Sequence, residues 1–351
     1  MLKLNEIQVI GSHNSYHIQP NPNLLQVLCS RNSQARSLAY SHQPLPEQLQ
    51  LQNIRQIELD IYADPQGGRF AQRVGLALLG QSPESGIPAL DEPGFKVMHI
   101  PHIDYETTCL TLVEGLTLVR NWSLSNPRHL PVMLLIEVKG SLPSEISELL
   151  RAKCPSCSLP IECTEEHMDA LDQEIRSVFA TSHLITPDEV RGDYGTLEQA
   201  VLDKGWPTLE SSRGRILFTL DNTDHIRDIY RQDRDSLEGR ILFASGQPGE
   251  PWTAFIKHND PTGSNMHEIQ SLVKAGYLVR TMSDPHMDDI QEGLVGRKDA
   301  ALQSGAQFVS TDYPAPGKWG YSVSLPGAEH APGRINPVNG PAVAYGALDE
   351  S

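Results

Sequence analysis

Residues 131–139 read Pro-Val-Met-Leu-Leu-Ile-Glu-Val-Lys, an apolar run that ends in charged side chains. An uninterrupted run of this kind is typical of a strand buried on both faces, as in a parallel sheet. Similar runs recur at 4–11, 54–57, 95–98, 215–220, 241–244, 278–280 and 308–312, and most of them also lead into polar residues. The repetition predicts several parallel strands with chemistry-bearing side chains at their ends.

Helical spacing of apolar residues appears between several of these runs. The stretches are Thr111 to Ser123, Glu145 to Lys153, Thr196 to Lys204 and Ser264 to Ala275. Strand and helix alternate about eight times, which predicts an α/β fold with a parallel barrel. Polar residues at the carboxyl ends of barrel strands usually build an active site, so an enzyme is the expected class.

The chain has 351 residues, and its formal net charge is -16. An acidic surface repels phosphate backbones, so we expect no nucleic-acid partner. It also disfavours tight docking on anionic membranes, which leaves at most transient contact with a membrane surface. A monomer is expected. The same charge suits a protein that binds a divalent cation through carboxylates.

No run of about 18 apolar residues is present, so no membrane-spanning helix is expected. The first residues, Met1 to Glu6, lack the apolar centre of a signal peptide. We expect a secreted or periplasmic protein whose leader has been removed, with a cytoplasmic location as the alternative.

No linker separates two domains, so residues 1–314 are predicted to form a single barrel. Residues 66–94 have several Gly and Pro residues and no periodicity, and we expect a loop insertion over the barrel mouth. Residues 315–351 are rich in Gly, Pro and Ala and are predicted to be an irregular tail.

Three of the five cysteines, Cys154, Cys157 and Cys163, lie close together, with His167 nearby. Zinc binding is one interpretation, although the spacing does not fit the common paired patterns. A disulfide within the cluster is the alternative in an exported protein.

The segment Gly11-Ser12-His13-Asn14-Ser15-Tyr16 follows the first predicted strand. His13 is a candidate general base because the pKa of an imidazole lies near neutral pH. The alternative is a capped turn in which His13 and Asn14 bind the loop backbone.

Carboxylates end two other runs. Glu58 and Asp60 are two residues apart on a strand and therefore share one face, where a cation between them would relieve their repulsion. Glu137 is a candidate third ligand, and Lys139 on the same face would neutralise phosphate or hold Glu137. The alternatives are surface ion pairs of little energetic value.

His99 ends the run at 95–98 and is the better candidate for a second catalytic imidazole. His102 is a candidate substrate contact or an ordinary loop histidine. Oxygen ligands suit Ca2+ or Mg2+ rather than Zn2+. Two histidines beside such a cation suit phosphodiester cleavage, with one base, one acid and a metal that stabilises charge at phosphorus.

These motifs together resemble the calcium-dependent phosphatidylinositol-specific phospholipase C family, within the PLC-like phosphodiesterase superfamily. Further stretches are similar to that family, at 122–127, 129–131, 184–188, 205–207 and 311–314. The resemblance extends roughly to Pro314. It implies a distorted (β/α)8 TIM barrel of the PLC-like phosphodiesterase type.

The resemblance also implies roles. His13 is the base that deprotonates the inositol 2-hydroxyl, and His99 is the acid that protonates the leaving diacylglycerol oxygen. The product is inositol 1,2-cyclic phosphate, which hydrolysis can open with the two roles reversed. The calcium positions of the family match four residues: Asn14, Glu58, Asp60 and Glu137.

Other polar residues near late strands are candidate substrate contacts. Arg280 could bind phosphate. Asp284 or Asp221 could bind inositol hydroxyls, and Tyr313 could stack on a ring. Ordinary ion pairs and caps explain each of these four residues equally well.

The substrate is either phosphatidylinositol or a soluble phosphodiester such as glycerophosphoinositol. A lipid substrate needs an interfacial surface, for which Trp252 and Phe255 or the 66–94 insertion are candidates. A glycerophosphodiester phosphodiesterase on the same barrel is an alternative, although that family places an Arg shortly after its first His. A non-catalytic barrel that binds inositol phosphates or lipid head groups is the third hypothesis.

Overall fold

The computed structural model describes residues 1–286, 289–290, 292–317, 320–342 and 346–350. Within them, the strands that form one hydrogen-bonded sheet are, in chain order, β1 (Ile7–Ser12), β2 (Gln56–Tyr62), β3 (Lys96–Val97), β4 (Val132–Lys139), β5 (Leu184–Ile185), β6 (Ile216–Leu220), β7 (Leu242–Ala244), β8 (Phe255–Lys257), β9 (Leu278–Met282), β10 (Phe308–Thr311), β11 (Gly333–Ile335) and β12 (Ala347–Leu348).

Eight of these strands form a parallel ring. On one side of β1 the order is β2, β4, β6 and β7, and on the other side it is β10, β9 and β8. A parallel bridge between Ser245 and Phe255 joins the ends of β7 and β8. The predicted barrel is therefore confirmed, and its closure through one bridge accounts for the distortion.

Helices surround the ring and link its strands. They are α1 (Pro22–Arg31), α2 (Leu45–Leu51), α3 (Val74–Leu78), α4 (Leu112–Ser125), α5 (Ser144–Lys153), α6 (Glu165–Val178), α7 (Pro187–Arg191), α8 (Leu197–Asp203), α9 (Leu209–Ser212), α10 (His225–Arg231), α11 (Asn265–Ala275) and α12 (Gly296–Gln303). The four helices predicted from spacing correspond to α4, α5, α8 and α11, with ends that differ by at most two residues. No helix in the described ranges is long and apolar enough to span a membrane.

One predicted barrel strand is wrong. The run at 95–98 forms β3, which pairs antiparallel with the end of β2 and lies outside the parallel ring. The eighth strand of the ring is instead β8, which the apolar runs did not predict. Only Phe255 and Ile256 of β8 are apolar, and so short a run gives little signal.

The insertion at 66–94 contains α3 and a single 3-10 turn, Pro88–Leu90. Its Gly75 amide donates to the carbonyl of His102, which ties the insertion to the loop after β3. Gly75 leaves no room for a side chain here, because an added Cβ would lie 2.9 Å from that carbonyl oxygen.

The tail after residue 314 is irregular for most of its described length but contains β11 and β12. β11 pairs antiparallel with the first residues of β1, with Ile335 opposite Ile7. Near the end, Glu350 pairs with the buried Arg55, whose Nε donates to Glu350 Oε1 at 2.7 Å. The tail thus covers the amino-terminal end of the barrel. Positions 318–319, 343–345 and 351 of the predicted tail lie outside the described residues.

Cys154 and Cys157 form a disulfide directly after α5. Cys163 is a free, buried thiol. Since two of the cysteines of the zinc interpretation are bonded to each other, the disulfide interpretation is the one the structure confirms.

Candidate active site

The carboxyl ends of the adjacent strands β1 and β10 bring His13 and Asp312 together. Ser12 is opposite Thr311 in the parallel register, and the amide of His13 donates to the Thr311 carbonyl at 2.9 Å. His13 and Asp312, which directly follow these two residues, therefore lie at the same level of the barrel. Nδ1 of His13 is 2.8 Å from Asp312 Oδ1, which fixes the ring and leaves Nε2 directed elsewhere.

Nε2 of His13 lies 3.6 Å from Glu58 Oε1, and the side chain is 29% exposed, so a substrate can reach it. Burial opposes protonation of His13, but the carboxylates of Glu58 and Asp312 outweigh it and raise its pKa to about 10. Without another cation nearby, His13 is an imidazolium at neutral pH. It becomes a base only when positive charge elsewhere offsets Glu58 or Asp312.

Three carboxylates meet beside His13 at the ends of β2 and β4. Asp60 is opposite Glu137 in the parallel register, and Glu58 precedes Asp60 on the same face of β2. Each of the three carboxylates has one oxygen that lies within 4.8 Å of an oxygen of the other two. The shared face predicted for Glu58 and Asp60 is thus present, and Glu137 joins it.

Each of these carboxylates lies against a cationic side chain through one of its oxygens. Arg280 Nη2 donates to Glu58 Oε2 at 2.6 Å. Lys139 Nζ lies 2.5 Å from Asp60 Oδ2 and 3.5 Å from Glu137 Oε2. The buried Oδ1 of Asp60 makes no hydrogen bond to any described residue. Carboxylate oxygens grouped this closely are hard donors of the kind that Ca2+ or Mg2+ takes.

Asn14 directly follows His13 and is buried in a left-handed conformation, with φ 45°. Its Nδ2 donates to the Tyr40 hydroxyl at 3.2 Å, and no described residue donates to its Oδ1. The amide orientation therefore leaves an oxygen available as a fourth ligand. The four residues fit a hard cation by donor type, since all of them offer oxygen.

The charges of the group shift its pKa values in a consistent way. Burial and the Asp60 carboxylate raise the pKa of Glu137 to about 8. Burial also raises the pKa of Glu58, against the Arg280 guanidinium. Burial works against ionisation of Asp60 too, but Lys139 and His99 hold its pKa below the usual range. Crowded carboxylates of this kind gain most from a bound cation.

The second histidine has its own buried partner. His99 Nδ1 is 2.6 Å from Asp104 Oδ2, and the side chain of His99 is 22% exposed. His17 Nε2 lies 3.0 Å from both oxygens of Asp104, and its Nδ1 is 3.1 Å from the Tyr40 carbonyl. Burial disfavours the anion, but hydrogen bonds from His17 and His99 keep the pKa of Asp104 low. Asp104 therefore fixes His99 and leaves its Nε2 for other partners.

The remaining predicted residues have structural partners. Arg280 is fully engaged, because its Nε donates to Ser310 Oγ at 2.9 Å and its Nη1 donates to Asn259 Oδ1 at 2.6 Å. Asp221 accepts from Lys257 Nζ at 2.6 Å and borders the carboxylates. In this arrangement Arg280 and Lys139 organise the carboxylates rather than stand free for phosphate.

Asp284 supports the loop that carries Asp312. Its Oδ2 accepts from the Asp312 amide at 2.6 Å, and its Oδ1 accepts from Thr311 Oγ1 at 2.7 Å. Burial and the Asp312 carboxylate raise the pKa of Asp284 to about 6. Tyr313 packs edge-on against Tyr321, with ring centroids 5.3 Å apart.

His102 lies apart from this network, on the side of the 66–94 insertion. Its Nδ1 is 3.0 Å from the Gln72 carbonyl oxygen and its Nε2 is 2.8 Å from that of Ser158. The side chain is buried, so neither ring nitrogen is free to bind a substrate. The structure gives His102 the place of a loop anchor, not of a substrate contact.

Several residues of the site were not among the predicted ones. The sequence did indicate Asp312, since it directly follows an apolar run, at 308–311. Lys257 is the last residue of β8, the strand that was missed. No sequence pattern indicated Asp104 and His17, because their contact joins positions 87 residues apart.

Comparisons with known proteins found a family model and several similar solved structures. A family model described as "Phosphoinositide phospholipase C, Ca2+-dependent" matches residues 2–337. A calcium-dependent phosphoinositol-specific phospholipase C from a Gram-negative bacterium, Pseudomonas sp, is similar in structure, with TM-score 0.53 and 18% identity over 89% of this chain and 90% of that one. The same values hold for its myoinositol complex.

A Ca2+-dependent phosphatidylinositol-specific phospholipase C from Streptomyces antibioticus also has TM-score 0.53, with 15% identity over 90% of this chain and 96% of that one. At these identities the likeness shows the fold. No curated protein matches the chain.

Proposed function

Because the chain belongs to the family of Ca2+-dependent phosphoinositide phospholipases C, we propose that it cleaves phosphatidylinositol by intramolecular attack of the inositol 2-hydroxyl. One observation carries the proposal. Two partly exposed histidines, each held by its own aspartate, both lie within electrostatic reach of the carboxylate Asp60. An acid and a base on either side of one phosphate are what an in-line displacement requires.

In this proposal His13 takes the proton of the 2-hydroxyl through Nε2, while Asp312 holds Nδ1. The 2-oxygen forms a bond to phosphorus, and the bond from phosphorus to the glycerol oxygen breaks. His99 donates a proton to that leaving oxygen. The products are diacylglycerol and inositol 1,2-cyclic phosphate, and water can then open the ring with the histidine roles exchanged.

Asn14, Glu58, Asp60 and Glu137 would hold the cation. When bound, Ca2+ supplies positive charge that stabilises the phosphate oxygens as charge builds up at phosphorus. Arg280 and Lys139 hold the carboxylates in place. Bound Ca2+ would also offset the charge of Glu58 and so weaken the attraction that keeps a proton on His13. The strength of His13 as a base and the occupancy of the metal site would therefore be linked. Mg2+ has the same preference for oxygen and is the alternative ion.

We also propose that the protein works outside the cytoplasm, as a secreted or periplasmic enzyme. The Cys154–Cys157 disulfide supports this, because such bonds persist in oxidising compartments.

The proposal is tested by measuring phosphatidylinositol cleavage in mixed micelles, with calcium and with a chelator. We expect turnover that depends on calcium and is abolished in His13→Ala. His225→Ala is the matched control, because His225 is exposed on α10 and its nearest carboxylate is 3.9 Å away. Retained turnover in His13→Ala would overturn the role of His13. Calcium-dependent binding of phosphatidylinositol without turnover would show a head-group-binding barrel instead.

A further inference from the structure

Two histidines and one aspartate beside the calcium candidates form a second group of possible metal ligands. His17, His99 and Asp104 each offer one atom, and these three atoms lie within 4.8 Å of one another. The group contains two nitrogens and one carboxylate, whereas the proposed calcium ligands offer only oxygen. A mixed set of this kind suits Zn2+, which often keeps a fourth position for water.

Both ring nitrogens of His17 face hydrogen-bond acceptors. Nδ1 lies 3.1 Å from the carbonyl oxygen of Tyr40, which can only accept, so Nδ1 is the donor. Nε2 lies 3.0 Å from each oxygen of Asp104. A neutral ring would direct its lone pair at that carboxylate, so the contact requires a positive charge between them, either a proton or a metal ion. A histidine that binds a metal through one nitrogen commonly donates from the other to a backbone carbonyl, as His17 does.

A second proton lies between Asp104 and His99. Nδ1 of His99 donates to Asp104 Oδ2 at 2.6 Å. With His99 in its acid form, one Zn2+ in place of these two protons would leave the net charge of the buried group unchanged. Ligands about 2.1 Å from a tetrahedral ion lie about 3.4 Å apart, so each contact would lengthen by less than about 1 Å. The side chain of His99 is 22% exposed, so an ion can enter from that side.

We propose that His17, His99 and Asp104 form a zinc site separate from the calcium site, and that Zn2+ bound there inhibits the enzyme. Zn2+ bonds to Nε2 of His17, to Nδ1 of His99 and to the carboxylate, and the two displaced protons leave to solvent. The inhibition rests on the proposed function, because it uses His99 as the acid. A metal-bound ring is a neutral imidazole, which holds its remaining proton more tightly than an imidazolium does.

Binding is measured by the visible absorption of Co2+, which reports its coordination geometry, with Zn2+ as the competitor. Calcium is present in excess so that the carboxylate site is occupied. We expect an absorption band of four-coordinate Co2+ that Zn2+ removes. Absence of the band, or its loss as the calcium concentration is raised, would overturn the site.

Two variants each remove one nitrogen ligand. The amide of His17→Asn can still donate to the Tyr40 carbonyl but has no counterpart of Nε2. His99→Gln replaces the partly exposed ligand and leaves the buried pair of His17 and Asp104 in place. We expect each variant to bind Zn2+ at least about 100-fold more weakly, because even residues that only orient a ligand contribute about 10- to 100-fold.

His129→Asn is the matched control. His129 is another buried histidine whose Nδ1 donates to a backbone carbonyl, that of Leu130 at 2.6 Å, but its Nε2 contacts Ser123 Oγ rather than a carboxylate. Its affinity for Zn2+ should equal that of the unaltered protein. A melting curve shows whether each variant folds, and His99→Gln decides the question if His17→Asn does not fold. Equal affinity in His99→Gln and in the control would overturn the site.

Turnover of phosphatidylinositol separates this inference from the proposed function. General acids contribute about 100-fold or more, so Zn2+ should lower kcat at least about 100-fold at saturating calcium. Inhibition that calcium relieves would place Zn2+ among the carboxylates and overturn the inference, and full turnover with Zn2+ bound would overturn the inhibition. Absence of turnover without Zn2+ would overturn the proposed function, while a Co2+ band that the two variants lose would still support the metal site.

Discussion

Replacement of Asp104 with Asn tests how the fold prepares His99 to act as an acid. Asp104 is completely buried and accepts from His99 Nδ1 at 2.6 Å and from His17 Nε2 at 3.0 Å. Asn keeps the shape of the side chain but loses its charge. It also presents an amide that cannot accept from both rings, so it disfavours the imidazolium form of His99.

The magnitude follows from the contact that is lost. A hydrogen bond to a charged group contributes about 1.5–3 kcal/mol, which is about 10- to 150-fold in rate. We therefore expect kcat for phosphatidylinositol to fall about 100-fold in Asp104→Asn. An aryl phosphodiester of inositol has a leaving group that needs little protonation, so its kcat should fall less than about tenfold.

The assay compares both substrates at saturating calcium and records a melting curve for every variant. Asp172→Asn is the matched control, since Asp172 is also a buried aspartate that accepts from Tyr230 at 2.8 Å and Arg240 at 3.1 Å, outside the site. Its kcat should stay unchanged. Equal losses on the lipid and the aryl ester would refute the reasoning, as would a loss no greater than that of the control.

Three further predictions concern the metal, the base and acid stability. Glu58→Gln should weaken calcium binding about tenfold or more in calorimetry with little change in Tm, because Gln can still accept from Arg280; unchanged affinity would remove Glu58 from the metal site. Asp312→Asn should lower the pKa of His13 from about 10 in calcium-free protein, followed by NMR of the imidazole, and an unchanged titration would contradict the pairing. Burial lowers the pKa of His129 to about 4, so the unfolded chain binds more protons below pH 6.5 and stability is lost as the pH falls. Urea unfolding should show a loss between pH 7.5 and 5 that is about 2 kcal/mol larger in the unaltered protein than in His129→Asn, and an equal loss in both proteins would assign it to other groups.

Much of the site was predictable because parallel strands end at the same edge of the barrel. Glu58 and Asp60 alternate onto one face of β2, and the register places Glu137 opposite Asp60. These relations follow from strand periodicity and from the order of the strands. The same logic applies to Asp312, which ends β10 beside His13.

The rest depends on contacts that no local pattern encodes. The pairing of His17 with Asp104 brings together the loop after β1 and the loop after β3, and it requires the folded backbone. Arg280 looked like a phosphate ligand because it follows a strand, but its buried side chain donates to Glu58, Ser310 and Asn259. A buried guanidinium satisfies its donors within the protein, and only the structure shows which acceptors it finds.

Helical spacing predicted α4, α5, α8 and α11 well, and the apolar runs predicted every strand of the parallel ring except β8. β8 has two apolar positions and was missed, and the longer run at 95–98 was placed in the barrel although β3 lies outside the ring. Lys257, which pairs with Asp221 in the site, was missed with its strand.

The most direct test of the proposed reaction is the phosphorus NMR spectrum of phosphatidylinositol treated with the protein, with calcium or with a chelator. Attack by the 2-hydroxyl predicts that the signal of inositol 1,2-cyclic phosphate appears first, and only with calcium. Direct formation of inositol 1-phosphate without a cyclic intermediate, or cleavage that persists in the chelator, would contradict the account of His13, His99 and the carboxylate site.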